Sequence, residues 1–203
     1  MQRAIDTLIF DLGNVLIRWQ ARPVVEDICR KTGVDFGDFW DNRLEAWNRR
    51  WDSGSMAEGA ATTAKEFPAY AAVCHSFCER WIEMLGEPIE GSVKILEDMK
   101  ASGYRLYAGS NWASDTFELA RPRMPFLSLF DGLHISGHIG CAKPSPKFFT
   151  TLLDKFSVKP EQAVFIDDKS ENISAAQSVG LHGIQFQNPA QLSDSLRVLG
   201  VRI

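Results

Sequence analysis

The sequence lacks any apolar run of about 20 residues, the length a helix needs to cross a bilayer, and no signal-peptide pattern stands at Met1-Gln2-Arg3-Ala4-Ile5-Asp6. No membrane partner is therefore expected. An excess of basic charge is also missing. With a net charge of -4 and a charged fraction of 24%, the chain carries no general footprint for nucleic acid. Cysteine is scarce: Cys29, Cys74, Cys78 and Cys141 are too few for a secreted disulfide scaffold in a chain this long, so free thiols in a reducing cytoplasm are expected. Internal repeats and low-complexity tracts are absent. What is present is a chain of 203 residues with 45% hydrophobic content, enough for a full core and one insertion.

The organising stretch is Thr7-Leu8-Ile9-Phe10-Asp11-Leu12-Gly13-Asn14-Val15-Leu16. Thr7 to Asp11 reads as a short buried strand, because an apolar run without alternation suits a parallel sheet covered on both faces. It ends on a carboxylate followed by a Gly-Asn turn signal.

From Ile17 to about Leu85 the pattern is helical, with no strand expected. A first helix runs through Val24 to Arg30 after Pro23 and stops near Gly33. Phe36, Phe39, Trp40, Leu44 and Trp47 mark a second. Ser55 and Glu58 form a capping box for a third after the Asp52-Ser53-Gly54-Ser55 break, and Ala69 to Leu85 makes a fourth.

Beyond Gly91 strands alternate with helices. Strands are expected at Tyr104–Gly109, Leu133–Ser136, Ala163–Ile166 and Gly183–Phe186, with helices at Val93–Met99, Asp115–Ala120, Pro146–Phe156, Ser170–Val179 and Pro189–Leu199. This alternation predicts an α/β fold with a doubly wound parallel sheet.

Asp11, Ser110-Asn111 and Asp167-Asp168 each follow a predicted strand, and the strand ends of a parallel sheet share one edge. Lys143, in the loop Gly140-Cys141-Ala142-Lys143-Pro144, can face the same crevice. Clustered carboxylates suit a hard cation such as Mg²⁺, which is commonly bound together with substrate phosphate, and a lysine supplies a point charge for the anion. The set fits phosphoryl transfer.

In order and strand context, Phe10-Asp11-Leu12-Gly13-Asn14-Val15-Leu16, Gly109-Ser110-Asn111, Lys143-Pro144-Ser145-Pro146 and Phe165-Ile166-Asp167-Asp168 resemble the four motifs of the haloacid dehalogenase-like superfamily. The likeness covers nearly the whole chain. It is nearest to sugar-phosphate phosphatases of the glucose-1-phosphate type and to the phosphatase domain of epoxide hydrolases.

This resemblance implies a Rossmann-like core (1–16 and 88–203) with a small helical cap (17–87) inserted after the first strand. It implies a Mg²⁺-dependent phosphoric monoester hydrolase acting on a small phosphorylated metabolite, a sugar phosphate among them, through an aspartyl-phosphate. Asp11 would be the nucleophile, with Ser110 and Lys143 beside it in catalysis. Leu12, Gly13, Ser110, Asn111 and Lys143 would surround the phosphate, the last three holding its transferring oxygens. Asp11, Asp168 and the carbonyl of Gly13 would bind the metal, and Asp167 would sit outside them or pair with Lys143.

Gly13 departs from the family, which usually places a general acid and base there; such a group contributes about 10²–10⁴-fold. A good leaving group, the cap or water must then serve instead. The rival reading is a phosphate-ligand binding or regulatory protein with little turnover, favoured by Gly13 and opposed by Asp11, Lys143 and Asp168. A phosphomutase suffers from the same missing group, and a dehalogenase leaves Asp167-Asp168 without a purpose.

Other residues have ordinary readings. Asn172 either orients the acidic cluster or lies on a helix surface. Ser110 lacks a Gly-x-Ser-x-Gly elbow, which argues for anion binding over nucleophilic attack. Cys74 and Cys78 lie one helical turn apart with no second pair to complete a tetrahedral site, so packing is expected. His134 and His138 receive no role, and Lys65 belongs to a solvated face. The tryptophans of 17–87 form a small core, some of them facing the crevice with Arg18 or Arg43.

Overall fold

A computed structural model describes residues 4–202; Met1, Gln2 and Arg3, where no leader pattern is read, and Ile203 lie outside the described residues. The chain opens with β1 (Thr7–Phe10), all four residues buried, and turns through Asn14 in the left-handed region (φ 56°) into β2 (Ile17–Trp19). Helices α1 (Ala21–Thr32), α2 (Phe36–Phe39), α3 (Glu45–Trp51), α4 (Met56–Glu66) and α5 (Ala71–Glu79) follow, with a π-helical turn at Trp40–Leu44 joining α2 to α3. Next come β3 (Leu85–Pro88), α6 (Glu90–Ala101), β4 (Arg105–Ser110), α7 (Ser114–Ala120), β5 (Gly132–Ile135) and α8 (Ser136–Ile139). The chain finishes with α9 (Pro146–Phe156), β6 (Ala163–Asp167), α10 (Ser170–Ser178), β7 (His182–Gln185) and α11 (Pro189–Val198).

The main sheet is parallel, in the order β5-β4-β1-β6-β7. Its centre is β1, whose side chains alternate between two covered faces. Leu8 and Phe10 join the larger core with residues of α6 and α11, whereas Ile9 packs with Phe148, Phe149 and Leu152 of α9. This is why β1 carries no polar alternation. The register sets Phe10 opposite Ala108 of β4 and Ile166 of β6, so all three strands discharge at one edge. The chain builds β4 and β5 to one side of β1 and then β6 and β7 to the other, which makes that edge a topological switch point. The expected Rossmann-like doubly wound sheet is the observed one.

The segment between β1 and β4 corrects the expectation of helices alone. β2 and β3 pair antiparallel, Trp19 opposite Leu85, and close the base of the helical segment. The anticipated fourth helix ends at Glu79, and Trp81–Met84 is a 3₁₀ turn leading into β3. Neither strand exceeds four residues, and their partners lie far apart in sequence, so no local periodicity announces the pair.

The helices pack through aromatic residues. Trp47 touches the rings of Phe39, Trp51, Phe67 and Tyr70, and Trp51 donates its Nε1 hydrogen to Thr63 Oγ1 at 2.9 Å. A Cβ at Gly59 would stand 2.5 Å from Trp51 Cδ1, so glycine is what lets α4 approach that indole. The Ser55 cap of α4 is present, its hydroxyl accepting from the Glu58 amide at 3.4 Å. No helix among the described residues is long and apolar enough to cross a membrane.

Candidate active site

Asp11 leaves the end of β1 into the crevice at the sheet edge. One of its oxygens, Oδ1, receives three donors: the Leu12 amide at 2.7 Å, Ser110 Oγ at 2.6 Å and Lys143 Nζ at 3.0 Å. Ser110 ends β4, so a parallel neighbour brings its hydroxyl across the sheet. Lys143 is 1% exposed and spends its three hydrogens on Asp11, on Asp167 Oδ2 at 2.7 Å and on the Gly109 carbonyl at 3.0 Å.

The side chain of Asn111 fixes the lysine loop. It accepts from the Lys143 amide at 2.8 Å and donates to the Lys143 carbonyl at 2.9 Å, a two-way bond across the crevice. Asn172, left open between two readings by sequence, is buried on α10 and bonds both oxygens of Asp167 at 2.9 and 3.0 Å. The Lys169 amide adds a further donor to Asp167 at 2.8 Å. Asp167 is thus saturated by neighbours.

Asp11, Asp167 and Asp168 offer carboxylate oxygens that all lie within 4.8 Å of one another. Burial pushes Asp11 up to about 7, Lys143 pulls it back, and Asp167 raises it again. Burial, reinforced by Asp167, raises Asp168 as well. Burial by itself would lower Lys143, but Asp11 and Asp167 outweigh it and the net shift is upward. Three carboxylates against one ammonium leave the cluster short of positive charge. An all-oxygen donor set in that condition fits a hard divalent cation. Since Asp167 is already occupied by hydrogen bonds, Asp11 and Asp168 are the side chains with oxygens to offer.

Above the cluster lies a cavity of about 810 Å³. Its floor includes Asp11, Gly13, Ser110, Asn111, Lys143 and Asp168, and its upper walls come from the helical segment and β2–β3. Trp19, Trp40, Leu44, Phe77, Trp81 and Leu85 supply an apolar surface. The arginines that reach it are Arg22 and Arg49; Arg18 and Arg43 do not line it, and Arg43 instead pairs with Asp38 at 2.9 Å over the Tyr70 ring. His134 is buried and hydrogen-bonds to the Phe148 carbonyl at 3.1 Å, away from the cavity. Cys74 packs in the core and burial pushes its thiol up to about 11.

One lining residue escaped sequence reading. Asp52, at the end of α3, belongs to the cavity wall, and burial pushes its carboxyl up to about 7. Its place within Asp52-Ser53-Gly54-Ser55 signals only a break between helices, and nothing local reveals what the break faces.

Comparison with known proteins agrees with this geometry. The haloacid dehalogenase-like hydrolase family matches residues 5–180. The drimenol cyclase drtB of Aspergillus calidoustus is 30% identical over 196 residues, covering 95% of this chain but 36% of that protein. The chain thus spans about a third of that relative's length. The D-ribitol-5-phosphate phosphatase of Bacteroides thetaiotaomicron is 22% identical, with 96% of this chain and 98% of that protein covered. Among solved structures, the enzyme bt-2542 of Bacteroides thetaiotaomicron, in complex with magnesium and inorganic phosphate, shares the fold with a TM-score of 0.72 at 19% identity, over 91% of this chain and 96% of that one. With the family matched across 5–180 and all four motif segments gathered at one sheet edge, the chain belongs to the haloacid dehalogenase-like hydrolases.

Proposed function

We propose that the protein is a Mg²⁺-dependent phosphatase that hydrolyses a small phosphorylated metabolite through an aspartyl-phosphate on Asp11. The observation that carries this reading is the contact set of Asp11 with Ser110 and Lys143 at the floor of the cavity. In this reading Asp11 and Asp168, with the Gly13 carbonyl, hold the cation, which supplies charge for the incoming phosphate. Ser110, Lys143 and the Asn111 backbone amide receive the phosphoryl oxygens, with Leu12 and Gly13 beside them. Asp167 keeps Lys143 in place. Segment 17–87 acts as the cap over a core of 1–16 and 88–203, choosing the substrate by its walls.

Those walls favour an alcohol portion with a ring or apolar body, since indoles and leucines line a volume of the size that takes drug-sized ligands. A sugar phosphate offers a ring face for stacking; a larger aromatic or isoprenoid phosphate fills more of the space. The unpaired state of all four cysteines supports a reducing, cytoplasmic setting.

The test is phosphate release from p-nitrophenyl phosphate and from a panel of sugar, aromatic and isoprenoid phosphates, with Mg²⁺ or with EDTA. Turnover that needs Mg²⁺ and vanishes in Asp11→Asn is expected. Folded wild-type protein that binds Mg²⁺ and releases no phosphate from any of them would favour a ligand-binding protein.

A further inference from the structure

Hydrolysis of a phosphate ester requires a proton for the departing oxygen and later a base for the attacking water. The strand-end residues described above supply neither: Lys143 spends its hydrogens on three acceptors, and position 13 has no side chain. Space is not what excludes one, because an ideal Cβ at Gly13 meets nothing within 4 Å. The proton must come from elsewhere in the cavity.

We propose that Asp52, carried into the cavity by the turn between α3 and α4, protonates the leaving oxygen and then deprotonates the attacking water. This rests on the phosphatase reading and adds to it a catalytic residue from the helical segment.

The turn is clamped to the core at Asp52 and at the residues that follow it. Its own carbonyl accepts from Ser136 Oγ at 2.6 Å, and the Gly54 carbonyl accepts from the Ser114 amide at 2.8 Å and its hydroxyl at 3.2 Å. Asp115 of α7 caps α4, accepting from the amides of Met56 at 2.9 Å and Ala57 at 3.0 Å and from Ser55 Oγ at 2.8 Å. The backbones pass so closely that a Cβ at Gly137 would stand 2.3 Å from the Ser114 nitrogen and 2.7 Å from the Gly54 oxygen. Such a crossing fixes the turn that carries Asp52 against the core, with Asp52 in the wall of the cavity whose floor holds Asp11.

The surroundings suit an acid that works at neutral pH. The carboxyl accepts from the Ala113 amide and from Asn48 Nδ2 at 3.3 Å. Burial pushes it up to about 7, Lys169 and Lys143 pull it down, and Asp11 pushes it up. Arg49, Glu45, Glu171 and Asp168 line the same cavity. Two further polar atoms there, Asn48 Oδ1 and Trp112 Nε1, are buried with no hydrogen-bond partner among the described residues. Unsatisfied atoms on the wall that also carries Asp52 mark where a ligand's polar group belongs.

The steps balance. Asp11 attacks phosphorus, the bond from phosphorus to the ester oxygen breaks, and that oxygen takes the Asp52 proton to leave as an alcohol. Water then attacks phosphorus, gives one proton to the Asp52 carboxylate, and displaces the Asp11 carboxylate; inorganic phosphate departs and Asp52 is protonated again.

Asp52→Asn keeps the shape and the acceptor for Ala113, so it separates chemistry from packing. With p-nitrophenyl phosphate, whose phenolate leaves unaided, a rapid-mixing experiment should show a burst of about one p-nitrophenolate per enzyme at a near wild-type rate, then steady turnover slowed on the order of 10²-fold. On glycerol phosphate the burst should disappear, kcat should fall by a similar factor, and the alkaline limb of the wild-type pH profile should be lost. Adding Gly13→Asp to Asp52→Asn should restore part of the glycerol phosphate activity. Unchanged kinetics and pH profile, or equal losses of burst and steady rates, would overturn the assignment while leaving the phosphatase reading intact. No Mg²⁺-dependent turnover in wild type, or turnover surviving Asp11→Asn, would defeat the phosphatase reading itself and this proposal with it.

Discussion

Lys143 Nζ stands 2.7 Å from Asp167 Oδ2 with both side chains almost wholly withdrawn from solvent, and the same nitrogen reaches Asp11 at 3.0 Å. Removing one member of such a buried set leaves uncompensated charge, which typically costs about 3–5 kcal/mol. Lys143→Met is expected to lose about that much in urea denaturation at pH 7. Lys143→Arg should recover little of it, because a planar fork cannot place donors on Asp11, Asp167 and the Gly109 carbonyl together. Wild-type stability in either variant would show that the contacts do not hold in solution.

Asn111 makes a separate prediction, since its side chain grips the Lys143 backbone through two bonds. Asn111→Ala should lower stability by roughly 1–3 kcal/mol, the range for buried polar groups left without partners. If Lys143 serves turnover, kcat should fall as well. Urea melts and initial rates on p-nitrophenyl phosphate read the two effects.

The acidic cluster links metal to pH. Asp11 is raised from 3.8 to about 7, so between those values the folded protein binds a proton that the unfolded chain has released. Stability without metal must then fall as pH rises from about 4 to about 7. A cation held by Asp11 and Asp168 offsets this, so the rise in urea midpoint on adding Mg²⁺ should be larger at pH 8 than at pH 5. Asp168→Asn should shrink that rise. Equal effects of Mg²⁺ at both pH values would separate the cation from this cluster.

Gly137 tests the junction between the helical segment and the core. A methyl group there collides with backbone atoms of Ser114, Gly54 and Trp112, none of which can swing aside as a side chain would. Gly137→Ala should destabilise the protein by about 1–3 kcal/mol, as overpacking does. Displacing the turn that carries Asp52 should also lower kcat. A variant as stable and active as wild type would mean that the crossing is looser than described.

The sequence by itself determined the alternation of strands and helices, the parallel sheet and the strand ends that bear Asp11, Ser110 and Asp167-Asp168. It could do so because buried parallel strands are short apolar runs and their polar successors stand out against them. Lys143 was legible from its loop, and Asn172 only as one of two readings, since burial of a helical polar residue depends on what packs against it. Tertiary structure alone decided the β2–β3 pairing, which joins short segments distant in the chain. It also decided that Arg22 and Arg49, in place of Arg18 and Arg43, reach the cavity, and that Asp52 faces it. Those outcomes follow from how the helical segment is set on the sheet edge, a long-range geometry fixed by Ser136, Ser114 and Asp115 and written in no local pattern.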